Sequence, residues 1–230
     1  ACYANMGPKW PTPSTTFAAA AGLPSGWAAV LQTSAQSWSS AGSRFAFSVN
    51  ASSPHTLSLA YISSPSTLAS TRVEYYLSTM QIARFSMTFN DRVAWSTTGE
   101  AGKFDVQAIA THEFGHALGL THPADSTCLD ETMWASAAAG ETKKRSLESG
   151  DKAGLAGLYG AATTTPAPTP TPTAPAAPAV TNFALVTTRA VATKPTTILF
   201  QGTGIDPTTV RAFLTGGFCA NTGLANWCRE

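Results

Sequence analysis

Residues 112–122 read HEFGHALGLTH. His112 and His116 stand four apart, so on a helix they share one face and both can point at one metal ion. Glu113 sits beside the first of them, where a carboxylate can reach water held by that metal. Gly119 follows His116 by three residues and permits a positive φ. The backbone can then leave the helix and swing back to supply His122 as a third ligand. Pro123 prevents the helix from resuming. Chance would produce the spacing H-E-x-x-H-x-x-G-x-x-H about 10⁻⁶ times in a chain of this composition. Three of the chain's 4 histidines lie within it.

Outward from this stretch the hydrophobic periods alternate. Val106, Ile109, Ala110 and Leu118 predict a helix over Asp105 to Leu120 that carries the first two histidines. Upstream, Trp27, Val30, Leu31 and Trp38 follow the Pro24-Ser25-Gly26 breaker at helical spacing, which predicts a helix over about 26–40. Strands are predicted at Arg44 to Val49, Leu57 to Ile62 and Arg84 to Phe89, with a first, edge strand at Thr15 to Ala18. Downstream, Leu155, Leu158 and Tyr159 form one face of a closing helix over about 149–159, with Ser149 as its cap and Asp151 in its first turn. Strands first and helices later make residues 1–160 an α+β domain.

Residues 161–179 read AATTTPAPTPTPTAPAAPA and hold six of the 15 prolines. Proline lacks the N–H and fixes φ, so this stretch reads as an extended spacer rather than helix or central strand. Beyond it, residues 180–230 read as a small β-rich tail, with strands at Thr196 to Phe200 and Thr209 to Leu214. Its ILFQGTGIDP segment faintly resembles the immunoglobulin-like IPT/TIG modules, which are longer, so the tail reads as an incomplete module of that kind. The spacer's composition predicts a tail that moves independently and contributes nothing to chemistry upstream.

Composition narrows the function classes. Charged residues are only 12% and the net charge is +1, so no basic field argues for nucleic acid. The longest apolar run, Phe17 to Leu23, is far short of the ~20 residues of a membrane span. The opening Ala1-Cys2-Tyr3 has no basic or apolar leader features, which fits a chain whose signal has been removed and equally a cytosolic one. Four cysteines, Cys2, Cys128, Cys219 and Cys228, allow two disulfides in three connectivities, and none has C-x-x-C spacing. Lys143-Lys144-Arg145 reads as a solvated charge run, and His55 as a loop residue ahead of a strand.

The eleven-residue motif is that of the metzincin peptidases, whose second signature is a methionine turn; Met133 in Glu131-Thr132-Met133-Trp134 follows His122 by 11 residues. Within that group residues 1–160 resemble the matrixins, the matrix metalloproteinase-like family, in a bacterial secreted form. Lys9-Trp10-Pro11 with Thr15-Thr16-Phe17 is similar to the opening of a matrixin catalytic domain. Phe89-Asn90 and Trp95 are similar to the family's upper edge strand and following loop. Asp151, Gly154, Leu158, Tyr159 and Gly160 match its closing D-x-x-G-x-x-x-L-Y-G helix. Pro123 is more like the serralysin branch, but Ala135 stands where that branch and the astacins carry Tyr.

The resemblance implies a zincin-like fold, a twisted and mostly parallel sheet with a long zinc-binding helix. It also implies a secreted, monomeric zinc endopeptidase acting on extended protein or peptide substrates. His112, His116 and His122 would hold one catalytic Zn²⁺, Glu113 would act as general base through zinc-bound water, and Met133 would form an apolar floor. Substrate would pair with the strand carrying Phe85, Ser86 and Met87, beside a pocket wall formed by Trp134 and Ala135. A second, structural zinc cannot be built from His55 alone, and calcium is not specified by six Asp. No PRCGVPD-like sequence surrounds Cys2, so a disulfide is the expected role, with Cys2–Cys128 and Cys219–Cys228 the simplest pairing. The competing reading is a catalytically weak secreted binding or adhesion module that retains the zinc site for stability.

Overall fold

A computed structural model of the chain describes residues 1–162 and a strand at 211–220, in which Leu214 alone has a described side chain. The strands in chain order are β1 (Ala4–Asn5), β2 (Ser14–Ala19), β3 (Ala46–Val49), β4 (Thr56–Ala60), β5 (Thr67–Tyr76), β6 (Gln81–Asn90), β7 (Trp95–Ser96), β8 (Phe104–Asp105), β9 (Leu120–Thr121), β10 (Ser136–Ala137) and β11 (Arg211–Ala220). The α-helices are α1 (Trp27–Ser39), α2 (Val106–Ala117) and α3 (Ser149–Tyr159).

The main sheet has the order β10-β11-β5-β6-β4-β2-β3. Strands β3, β2, β4 and β6 run parallel, as the αβ connections through α1 require, and β5 returns antiparallel to β6. This agrees with the expected α+β, mostly parallel sheet. Helix α2 is packed against α1, β5 and β6, and every residue from Ala108 to Ala117 is buried. A helix enclosed on all sides needs small residues where neighbours press closest, and Ala108, Ala110, Gly115 and Ala117 provide them. Trp38 of α1 donates its indole N–H to the Thr111 carbonyl at 2.7 Å. Trp10 does the same to the Ala117 carbonyl at 2.8 Å, tying the N-terminal segment to the helix end. Between α2 and the sheet, Phe17, Phe47, Phe85 and Phe114 meet at edge-on and tilted angles. Each such ring contributes about 1.5–3 kcal/mol by leaving water.

Three expectations change. Strand β5 was not expected at all; its sequence TLASTRVEYY turns a hydroxyl, Thr71, into the core where an apolar residue would have signalled a strand. Its presence moves the candidate substrate strand. Phe85, Ser86 and Met87 lie on β6, which is hydrogen-bonded to β4 on one side and β5 on the other, and Phe85 and Met87 are fully buried. No peptide can add to a strand with both edges used, so β6 is not the substrate-pairing edge, and Phe89-Asn90 is not an edge strand. Alternation in RFSMTF identifies a strand but carries no information about its neighbours.

The tail is the third. Residues 211–220, expected to be independent of the first domain, form β11 and pair antiparallel with β5 from Arg211 opposite Tyr76 to Cys219 opposite Thr67. Pairing partners so far apart in sequence leave no local signal. The expected strand at Thr196 to Phe200, the spacer after Ala162 and the Cys219–Cys228 pair lie outside the described residues and side chains. Cys2 and Cys128 form a disulfide that closes the N-terminal segment onto the loop after β9. His55 is a loop residue directly ahead of β4, as expected, but a buried one, stacked on Phe85 and edge-on to Trp10, with Nδ1 2.8 Å from the Thr16 carbonyl.

Candidate metal centre

Helix α2 starts where Asp105 accepts the Ala108 N–H at 2.8 Å, an ordinary N-cap. It ends at Leu118. Gly119, at φ +101°, turns the chain, and a Cβ there would collide with the Pro8 carbonyl. The turn brings β9 alongside β1 and returns His122 to the helix face carrying His112 and His116. One ligand nitrogen from each ring lies within 4.8 Å of the others.

The ring orientations are fixed from behind. His112 Nδ1 is 2.6 Å from the Thr132 carbonyl, and His116 Nδ1 is 3.0 Å from the Leu120 carbonyl. A carbonyl only accepts, so both Nδ1 atoms carry the proton and both Nε2 atoms present lone pairs. Those two Nε2 atoms each lie 3.1 Å from His122 Nε2. A neutral His122 has at most one proton to share between them. The donor set therefore converges lone pairs on one point, which fits a tetrahedral nitrogen-liganded cation such as zinc.

Burial pushes all three imidazoles below the ordinary histidine value, aided at His112 and His122 by neighbouring imidazoles and Lys144. His116 falls to about 4 and His122 to about 3, and His112 also lies well below the ordinary value. The rings are thus neutral and ready to ligate near neutral pH.

Glu113 is fully buried on α2, and its Oε2 accepts the Thr71 hydroxyl at 2.6 Å. Thr71 also donates toward the Glu113 carbonyl at 3.2 Å. The base candidate is therefore anchored to β5. Met133 sits beneath the helix: a Cβ on Gly115 would overlap its sulfur and lie 2.8 Å from Trp38. The turn that carries Met133 is held by Asp151, whose buried carboxylate accepts the Thr132, Met133 and Glu148 N–H groups at 2.8, 3.0 and 2.9 Å. Glu131 answers in the other direction, accepting the Gly150 and Asp151 N–H groups at the start of α3. The N-cap of α3 is Glu148, one residue before the expected Ser149.

Lys144 and Arg145 are not a solvated run. The Lys144 ammonium is buried and donates to the Glu131 and Trp134 carbonyls at 2.8 and 3.1 Å, with Thr132 O at 3.4 Å. Burial lowers its pKa to about 8. Arg145 makes two bonds to Asp105, at 2.9 and 2.6 Å. Trp134 and Ala135, both half-buried, follow the methionine turn and lead into β10. The sequence flagged the ligands, Glu113, Met133 and Asp151. It missed Thr71 and Lys144, whose partners lie on other elements.

Two expected outcomes follow from this geometry. Asp151→Ala leaves the buried Thr132 and Met133 N–H groups without an acceptor, at ~1–3 kcal/mol each, and the part-buried Glu148 N–H as well. The variant should lose roughly 3 kcal/mol or more in urea unfolding and bind zinc more weakly; an unchanged midpoint would contradict the tie. In the metal-free chain, imidazoles titrate near 6.5 when unfolded and lower when folded. The unfolded state therefore takes up protons first as pH falls, so stability is full above about 6.5 and declines as pH falls through about 4 and about 3. Thermal melts of chelated protein across that window check the direction.

The matrixin family model matches residues 36–160, more than half of the chain. Among curated proteins, the chain is 37% identical to human matrix metalloproteinase-25 over 79 residues, 34% of this chain and 14% of that protein. It is 36% identical to matrix metalloproteinase-27 of Tupaia belangeri over 78 residues, again 34% of this chain and 14% of that protein. It is 35% identical to human neutrophil collagenase over 72 residues, 31% of this chain and 14% of that protein. The aligned region thus spans about a seventh of these relatives. With the motif, the methionine turn and the family model in agreement over the same domain, the chain belongs to the matrixin family.

Proposed function

We propose that this protein is a secreted zinc endopeptidase that hydrolyses extended protein or peptide substrates. The observation that carries the reading is the back-bonding of His112 and His116 through Nδ1, which aims two Nε2 lone pairs at His122 with Glu113 next in the chain. His112, His116 and His122 would hold the ion. Zinc, when bound there, supplies Lewis acidity that brings the pKa of water toward ~7 and polarises the scissile carbonyl.

The chain's own residues do the rest. Glu113 takes the proton from the attacking water and delivers it to the leaving amine. Thr71 fixes one carboxylate oxygen of Glu113 and so limits its rotation. Met133 keeps the underside of the triad apolar and does not ligate. A substrate would pair with the edge of β5 that faces away from β6, taking the place that β11 holds there, in the β-augmentation mode. Trp134 and Ala135, leading into β10, would wall the pocket for the residue after the cleaved bond, an apolar one by family analogy. Residues 1–160 would carry this activity, with 161–179 as a spacer. Among the described residues no helix is long and apolar enough to cross a membrane.

Glu113→Ala removes the proton carrier and leaves the three imidazoles in place. It should retain zinc and fold and lose ~10²–10⁴ or more in kcat on a fluorogenic peptide. A phenanthroline-type chelator should abolish hydrolysis by the parent chain, and added zinc should restore it. Near-normal turnover by the variant, or chelator resistance of the parent, would refute the reading.

A further inference from the structure

Strand β11 occupies the slot in which a substrate would have to bind. It runs antiparallel to β5 and, at Cys219 and Ala220, parallel to β10 at Ser136 and Ala137. In the sheet order it stands between them. Without it, β5 and β10 would face each other across two interstrand spacings, roughly 9.5 Å, the width of one extended chain. Each wall of the slot is one bond from the candidate centre. On the β5 side, Thr71 is bonded to Glu113; on the β10 side, the turn that leads into β10 contributes the Thr132 carbonyl that orients His112.

The register adds a second observation. Residues 69, 71 and 73 of β5 are buried, so their face is the one turned toward α2. Directly opposed residues of antiparallel strands point to the same face. Leu214 stands opposite Val73 and is packed against the core, in agreement with this. Gly216 stands opposite Thr71, the residue bonded to Glu113, and Gly217 follows it. The strand has no side chain to aim at Glu113 at that point, so its backbone can pass close by. At Phe218/Cys219 the register with β5 shifts, where the strand begins to share its hydrogen bonds with β10.

We propose that Arg211–Ala220 is an autoinhibitory strand, an intramolecular occupant of the peptide groove that must leave before a substrate can pair with β5. The proposal rests on the peptidase reading for its consequence, but the seating of the strand does not. A tethered segment competes at an effective concentration that reaches mM for flexible connections, so even a weakly held strand excludes dilute peptides. It also covers the long edge of β5, which bare would invite pairing with other chains.

The test uses the zinc-loaded full chain with Thr215→Pro/Gly216→Pro, which removes adjacent N–H groups and so breaks the ladder on either parity. A second full-chain variant, Leu214→Asp, removes the packed residue and leaves the backbone intact. Hydrogen exchange of the segment Thr67–Tyr76 reads the seating without reference to activity. The expected result is at least tenfold faster exchange in that segment in both variants, with α2 protection unchanged. In parallel, kcat/KM on a short fluorogenic peptide should rise at least tenfold. Equal exchange in parent and variants would overturn the seating. Faster exchange with unchanged kcat/KM in active protein would overturn inhibition. Faster exchange with no hydrolysis by any form would support the seating and strike the peptidase reading.

Discussion

Two imidazole lone pairs aimed at a third imidazole are the constraint around which this domain is arranged. In water such an arrangement would hydrate or rotate apart. Here His112 and His116 cannot rotate, because the Thr132 and Leu120 carbonyls hold their far nitrogens. Those carbonyls are held in turn. The Thr132 peptide is pinned by the Asp151 carboxylate and the turn around it by the Lys144 ammonium, while Leu120 is paired to the N-terminal strand β1. A buried charge is costly unless fully bonded, and both Asp151 and Lys144 meet several backbone partners.

The same logic explains why α2 lies inside the protein. A helix that must present ligands on one face, rest a methionine on another and accept Trp38 on a third has no solvent side left. Gly115 is the clearest case, since the space a Cβ would take is already filled by Met133 and Trp38. The Cys2–Cys128 disulfide and the Trp10 indole bond then fasten the N-terminal segment across the helix end, next to the turn that returns His122.

Much of the centre was legible because its chemistry is local. An i, i+4 pair, a glycine and a third histidine within eleven residues specify a site before any fold is known. Met133 and Asp151 were legible through the family resemblance alone. Thr71, Lys144 and the neighbours of β6 were not, since each depends on a partner distant in sequence. A lysine between two other charges reads as solvated until three carbonyls surround it. A strand that buries a threonine does not alternate cleanly, so β5 stayed hidden, and with it the fact that β6 is an interior strand. The tail failed for a related reason. A proline-rich spacer argues for separation, yet nothing in it limits where the far end docks.

The account stands or falls on what the three imidazoles hold. Zinc K-edge absorption on the purified full chain measures that most directly. It should yield three imidazole nitrogens at about 2.0–2.1 Å completed by oxygen, with no sulfur shell near ~2.3 Å. Failure to retain zinc after dialysis, or a coordination shell dominated by sulfur or by six oxygens, would contradict it.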